Sequence, residues 1–465
     1  MSPPVLVMPL PEQGHVIPLM ELSHRLVEHG LEVTFVCTEH IHKLLLGGGA
    51  TDEAALGGVR LVSVPDGLAD SDDRRDLGKV LDGFTRSIPA HMEELIRVTK
   101  AEWLVADSTI VGWCSEVAKK LGVRVACFFP ASAAYLGTLL RIPQLIEEGI
   151  FDANGFPERQ EALERAPNMP PLYPAQMPWS VAGGPEGQQA FFRLVSRNAE
   201  ATRNADVVVC NTFLDAERTA LGLYPEILPI GPLLSRKKKS PVAGQFLPED
   251  TGCLQWLDAH SDKSVVYVAF GTSSAFDPGE IRALAEGLER TGRPFLWVVR
   301  PDFTADAAAG SGGGVWTKEW FDGFKERVAG KAMVVSWCAQ QQVLAHPAVA
   351  CFVTHCGWNS TMEAVMNGVP ILCWPYFLDH FTHQSYICDI WRTGLAVSPG
   401  QDGVGVTKEE VSIKVEQMVT DIGIAQRARS LSDAAHRGLA PGGSSFQNFN
   451  TFLKLLGLKE RPAAF

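Results

Sequence analysis

No apolar run in the 465-residue sequence approaches the roughly 20 residues that a membrane-crossing helix needs, so no membrane span is expected. Basic residues are not in excess. The 41 Lys and Arg stand against 53 Asp and Glu, a net charge of −12, which argues against a nucleic-acid surface. That sign does not exclude a bound anion, because one local site can oppose the global charge. The ten cysteines show no metal-ligand spacing, and no D-x-D-like cluster stands near the glycine turns described below, so no metal ion is expected. Cys37 and Cys210 sit inside apolar runs, where cysteine acts as a small hydrophobe. The start of the chain has no basic lead-in and meets Pro9 and Pro11 at once, unlike a secretory leader. A reduced compartment and a cytoplasmic location are therefore expected. No G-x-G-x-x-G follows the first strand; "PEQGHVIP" has a single glycine, which disfavours a nicotinamide-dependent oxidoreductase.

What is present is a repeating β/α pattern in a chain that is 46% hydrophobic and long enough for two or three domains. "PVLVMPLP" (Pro4–Pro11) reads as a buried strand. "GHVIPLMELSHRLVEHG" follows with helical spacing and stops at Gly30, and "LEVTFVCT" is the next strand. Strand, helix, strand in this order implies a parallel sheet. "EWLVADS", "GWCSEVAKKLG", "VRVACFFP" and "ADVVVCNT" continue the series. A second series opens near residue 264 with "SVVYVAFGTSS", then "DPGEIRALAEGLERTG", "PFLWVVR", "KAMVVSW", "VACFVTH" and "GVPILCWP". Between the halves, "SRKKKSPVAGQFLPED" (Ser235–Asp250) reads as an exposed linker. "DAAAGSGGGVW" (Asp306–Trp316) is low-complexity, and residues 145–190 read as an insertion or lid. The tail "GGSSFQNFNTFLKLLG" reads as an amphipathic helix with Ser444 or Ser445 as its N-cap.

The stretch "CFVTHCGWNSTMEAVMNGVPILCWP" (Cys351–Pro375) places a polar cluster between two apolar runs. The cluster is a strand-to-helix turn at the carboxyl edge of a parallel sheet, where open α/β sheets hold ligands. A helix start offers backbone N–H groups and a partial positive charge, which suit phosphate. His355, Asn359 and Ser360 supply side-chain donors, Gly357 permits close approach, and Glu363 one turn on can accept from ribose hydroxyls. The plainer alternative makes Asn359 or Ser360 an N-cap and Trp358 a core residue. "FGTSS" (Phe270–Ser274) repeats the strand–glycine–hydroxyl form, and two such turns favour a diphosphate cradle. Trp337, just after "KAMVVS", is either a base-stacking face or a loop aromatic.

His15 follows the first strand, and Asp107 ends "EWLVAD". Alone, the first is an ordinary histidine and the second a helix cap. Together they form a base and the carboxylate that orients it.

From Trp337 to His380, "WCAQQQVLAHPAVACFVTHCGWNSTMEAVMNGVPILCWPYFLDH" closely resembles the signature box of the plant secondary-product UDP-glycosyltransferases, a family 1 glycosyltransferase group. "PEQGHVIP", "VADS", "FGTSS" and "GGSSFQNFNTFL" fit the same family. The resemblance implies the α/β GT-B fold, with two Rossmann-like domains facing a central cleft. Residues 1–240 would bind the acceptor, 241–250 would link, 251–445 would bind the UDP-sugar, and 446–465 would pack back on the first domain. It further implies that Trp337 stacks on uracil, the Cys338 backbone bonds its edge, Gln340 lies near the ribose and Glu363 binds its hydroxyls. His355, Asn359, Ser360, Thr272 and Ser274 would hold the diphosphate; the Trp358 backbone and Asp379 would touch the sugar. Gly14 and Gly357 complete the donor site, His15 is the base and Asp107 its partner.

Two departures stand out. Ala339 replaces a usual proline. His380 ends the box where glutamine is usual for glucose donors, and histidine there is associated in the family with galactose or pentose donors. The expected donor is still UDP-glucose, because Trp358 and Asp379 are kept. The expected reaction is inverting transfer, without cofactor or metal, to a hydroxyl of a small hydrophobic acceptor such as a flavonoid, phenolic, terpenoid or hormone, by a monomer. Phe84, Ile88, Trp113, Phe129, Tyr135, Leu139 and Phe192, taken as lying in or beside loops that follow sheet strands, are the candidate acceptor walls.

Overall fold

The computed structural model describes residues 3–47, 56–74, 76–163, 169–181, 184–234, 246–247, 249–272, 274, 276–300, 318–398 and 405–458. The chain divides into two compact units: Met1–Leu247 together with Arg437–Phe465, and Pro248–His436. Residues 235–245 and 248 of the expected linker, and the whole 306–316 stretch, lie outside the described residues.

The first unit is built on β1 (Pro4–Met8), β2 (Glu32–Thr38), β3 (Arg60–Val64), β4 (Trp103–Asp107), β5 (Arg124–Phe129), β6 (Val207–Cys210) and β7 (Ile227–Pro229). Their order is β3-β2-β1-β4-β5-β6-β7, and the pairs are parallel. Central parallel strands are covered on both faces, which is why β1 and β4 read as unbroken apolar runs. The Gln13–Glu28 helix lays Val16, Leu19, Met20, Leu22 and Leu26 against the sheet, and Gly30 follows it with φ 92°.

The second unit repeats the plan with β8 (Val265–Ala269), β9 (Phe295–Val298), β10 (Ala332–Val335), β11 (Val349–Thr354), β12 (Ile371–Cys373) and β13 (Gly394–Ala396). Their order is β10-β9-β8-β11-β12-β13, again with parallel pairs. In each sheet the chain steps outward from its first strand, then returns to that strand's other side. The reversal falls between β1 and β4 in one unit and between β8 and β11 in the other. Crevices for ligands open at the carboxyl ends of strands where the order reverses.

The tail helix spans Ser444–Leu455, and its N-cap is Gly443 rather than either serine. Ser445 is buried, with no hydrogen-bond partner for its hydroxyl among the described residues. Phe449, Phe452 and Leu453 enter the core of the first unit, and Asn448 Nδ2 donates to the Pro229 carbonyl at 3.0 Å. In the 145–190 segment Trp179 is fully buried between Phe151 (5.2 Å) and Phe192 of the Gly184–Arg203 helix (5.1 Å). Among the described residues no helix is long and apolar enough to cross a membrane.

Candidate functional site

In the second unit the turns after β8 and β11 meet around one imidazole. His355 fills the space that a side chain on either flanking glycine would need. A Cβ on Gly271 would come within 2.8 Å of its ring, and one on Gly357 within 2.5 Å of Nε2. Gly271 also has φ +66°, a left-handed conformation that suits glycine. The Trp358–Met366 helix begins at once, with Gly357 as its N-cap and no side chain capping it. Asn359 and Ser360 therefore lie inside the first turn, and the reading of either as the N-cap is set aside. The amide groups of a helix start lack intrahelical acceptors and carry the positive end of the dipole. Arg300, just past β9, holds the first turn from the side: Nη1 donates to the Gly271 carbonyl and Nη2 to the Ser274 carbonyl, both at 2.9 Å. Ser274 is fully buried, with its hydroxyl unpartnered among the described residues, while Thr272 is half-buried.

Burial pushes the His355 imidazole down to about 3, helped by the Arg300 charge, so it serves as a neutral hydrogen-bonding group. His380 packs edge-on against it at 4.7 Å. The backbone amides of Tyr376 and Phe377 approach His380 Nδ1 at 3.4 and 3.3 Å, which places the His380 proton on Nε2. His383 Nδ1 donates to the Cys356 carbonyl at 2.8 Å, and its Nε2 lies 3.5 Å from Asp379 Oδ2. The Trp358 indole is core, packed on His383 and Trp391, so its backbone is the part that can meet a ligand.

Farther along the same face, Glu363 accepts from Gln340 Nε2 at 2.6 Å and from Gln341 Nε2 at 3.2 Å. Burial outweighs these bonds and pushes its carboxyl up to about 7. Ser360 Oγ accepts from Gln340 at 3.0 Å, so it belongs to this network. Trp337 is half-buried just past β10, its carbonyl held by the Asp250 amide at 3.0 Å; Cys338 beside it is buried.

In the first unit, His15 and Asp107 meet at the other strand-order reversal. His15 Nδ1 lies 2.7 Å from Asp107 Oδ2, with the imidazole 26% exposed and the carboxylate fully buried. Asp107 Oδ1 accepts from the Thr109 amide at 2.8 Å, which fixes the carboxylate. Donation from Nδ1 to the carboxylate places the basic lone pair on Nε2. Gly14 precedes His15 in the Gln13–Glu28 helix.

Residues 243–421 match the family model described as UDP-glucoronosyl and UDP-glucosyl transferase. "UDP-glycosyltransferase 83A1" of Arabidopsis thaliana is 36% identical over 467 residues, covering 97% of this chain and 96% of that protein. The chain belongs to the plant family 1 UDP-glycosyltransferases. "7-deoxyloganetin glucosyltransferase" of Gardenia jasminoides is 30% identical, covering 96% of each chain. The crystal structure of Os79 from O. sativa in complex with UDP superposes with a TM-score of 0.80 at 26% identity, covering 97% of this chain and 100% of that one. This UDP-glycosyltransferase accordingly has the GT-B fold, is a hexosyltransferase and takes a UDP-sugar as co-substrate.

Four residues of this glycosyltransferase escaped the sequence reading: Arg300, Gln341, His383 and Tyr267, whose hydroxyl lies 3.0 Å from Gln340 Oε1. Arg300 had a visible signal, a lone cation at a carboxyl strand end; the others had none. The acceptor walls need correction. Phe84, Ile88 and Phe192 sit in mid-helix, not in loops, and all three are buried. Trp113 and Leu139 are also helical, with Trp113 under the Arg197 guanidinium at 5.6 Å. Phe129 and Tyr135 do pack together near the end of β5, at 5.8 Å. A small pocket is lined by Ala134, Gly137, Thr138, Arg141 and Tyr224 among others, and by none of the predicted walls.

Proposed function

We propose that the enzyme transfers glucose from UDP-glucose, with inversion, to a hydroxyl of a small hydrophobic acceptor. The observation that carries this reading is the His15–Asp107 pair. A buried, immobilised carboxylate holds a partly exposed imidazole in the tautomer a general base requires. His15 takes the acceptor proton as that oxygen attacks the anomeric carbon, and UDP departs from the opposite face. Negative charge gathering on the diphosphate is met by the start of the Trp358–Met366 helix, by His355, Asn359 and Thr272, and by Ser274 where its buried hydroxyl finds a phosphate oxygen. Trp337 stacks on uracil and the Cys338 backbone bonds its edge. Gln340 and Glu363 take the ribose, with Ser360 beside them. The Trp358 backbone, Asp379 and His380 meet the sugar. The name of the 7-deoxyloganetin glucosyltransferase supports glucose as the sugar and a small organic acceptor. A second reading, UDP-galactose or a UDP-pentose, has the His380 geometry in its favour. Free thiols at all ten cysteines suit a reducing compartment, and we place the protein in the cytoplasm as a monomer.

His15→Ala tests the assignment. Turnover should fall by roughly 10²–10⁴-fold while UDP affinity, measured by titration calorimetry, stays as in the parent. Lost UDP binding would contradict it. Wild-type protein given UDP-glucose, UDP-galactose, UDP-xylose and UDP-glucuronate with a phenolic library, read by mass spectrometry, ranks the donors.

A further inference from the structure

A buried tyrosine underlies the Gln340–Glu363 network, and its hydroxyl has work that a core side chain does not need. Tyr267 in β8 is 1% exposed, with its ring stacked on Phe352 at 4.8 Å and 16°. Its hydroxyl donates to Gln340 Oε1 at 3.0 Å and meets Cys338 Sγ at 3.3 Å. A thiol can donate weakly to the phenolic oxygen, so the single phenolic proton goes to the amide. Acceptance at Oε1 turns Gln340 Nε2 the other way, where it donates to Glu363 Oε2 at 2.6 Å and to Ser360 Oγ at 3.0 Å. A flipped amide would set an oxygen against the carboxylate, two acceptors with no proton between them. Among these groups the tyrosine proton fixes the direction of the whole chain of bonds.

We propose that Tyr267 is a positioning residue for the donor nucleotide: through the Gln340 amide it holds the Glu363 carboxylate in the orientation that grips the ribose hydroxyls. The inference rests on the reading of Glu363 as the ribose ligand. Removal of the Tyr267 hydroxyl leaves the part-buried Gln340 oxygen without this donor and lets the amide rotate. The loss falls on nucleotide binding rather than on the base chemistry, since Tyr267 belongs to the second unit and the His15–Asp107 pair to the first.

The test compares UDP with 2′-deoxy-UDP by titration calorimetry on the full chain, alongside steady-state kinetics with UDP-glucose. Wild type should prefer UDP by about tenfold. Tyr267→Phe, which keeps the ring stack, should lose most of that preference and raise KM for UDP-glucose about tenfold, with kcat within about twofold. In a Gln340→Leu background, Tyr267→Phe should add nothing further, because the relay is already cut. A retained preference in Tyr267→Phe, or additive losses in the double variant, overturns the proposal. Should Tyr267→Phe not fold, Gln340→Leu alone carries the test, and an unchanged preference there overturns it. Glu363→Gln separates the two levels. If it leaves the preference intact, the ribose reading itself fails and the proposal with it; if it abolishes the preference while Tyr267→Phe keeps it, only the proposal fails.

Discussion

Gly357 stands so close to His355 that a methyl group on it would come within 2.5 Å of the imidazole Nε2. The backbone at Gly357, with φ −58°, would accept any residue, so the glycine is required by its neighbour rather than by its own conformation. Gly357→Ala therefore displaces His355 from the two turns it wedges together. UDP affinity should fall by roughly 10- to 100-fold, the range for a hydrogen bond to a charged group, and stability by about 1–3 kcal/mol from overpacking. Gly222→Ala, where a Cβ meets nothing within 4 Å, serves as the control and should leave both unchanged.

Glu363 predicts a pH dependence with a definite sign. Its carboxyl, raised to about 7 by burial, is protonated in the unliganded protein below that pH, whereas ribose hydroxyls donate best to the carboxylate. Binding then releases a proton, so the KM for UDP-glucose should be flat above pH 7 and rise as pH falls through it, by up to about tenfold per unit. UDP-glucose suits the measurement because its diphosphate is esterified at both ends and does not titrate in this window. His355 at about 3 stays neutral there, and burial holds His380 and His383 below the usual histidine range. Glu363→Gln should flatten the profile. Stability of the unliganded enzyme follows the same group: the folded state holds the proton more tightly, so this contribution is complete below the ordinary carboxyl pKa and is lost as pH rises through about 7.

The sheet strands were legible where both faces are buried, as in β1, β4, β8 and β11, because apolar runs of five or six residues admit few other readings. Three-residue strands such as β7 and β13, and the half-exposed β3, carry too little pattern to stand out. His15 and Asp107 could be paired because each ends or follows a central strand, and such strands become neighbours. Tyr267 could not be found in this way: in an apolar strand it looks like any core aromatic, and Gln340 lies 73 residues later. Asn359 or Ser360 stood as the alternative N-cap because Asn and Ser are strong N-caps, while a glycine followed by a buried tryptophan, the start actually found, gives no comparable signal. The acceptor walls were the least legible part. Aromatic residues on helices pack inward as readily as toward a ligand, and Phe192 does so against Trp179.

The proposed donor can be tested at His380. With its Nδ1 facing the Tyr376 and Phe377 amides, the ring offers a single donor, Nε2–H, which lies 3.9 Å from Asp379 Oδ1. A glutamine amide would offer both a donor and an acceptor to the sugar hydroxyls. His380→Gln should therefore raise kcat/KM for UDP-glucose relative to UDP-galactose by up to about tenfold, the worth of one hydrogen bond. A donor panel read by mass spectrometry checks this, and an unchanged ratio would remove His380 from the specificity argument.

The tail helix gives a test of stability that leaves the chemistry aside. Phe452 is fully buried in the core of the first unit, among residues of the sheet and of the Gln13–Glu28 helix. Its loss removes a buried aromatic side chain and leaves a cavity, so Phe452→Ala should cost about 3–5 kcal/mol in denaturant unfolding. Lys454→Ala, on the same helix and near its end, should stay within about 0.5 kcal/mol. If the two variants unfolded alike, the tail helix would not be part of the first unit's core. The first unit would then have to hold together without the last residues of the chain, and a chain cut after Leu439 would be as stable as the whole.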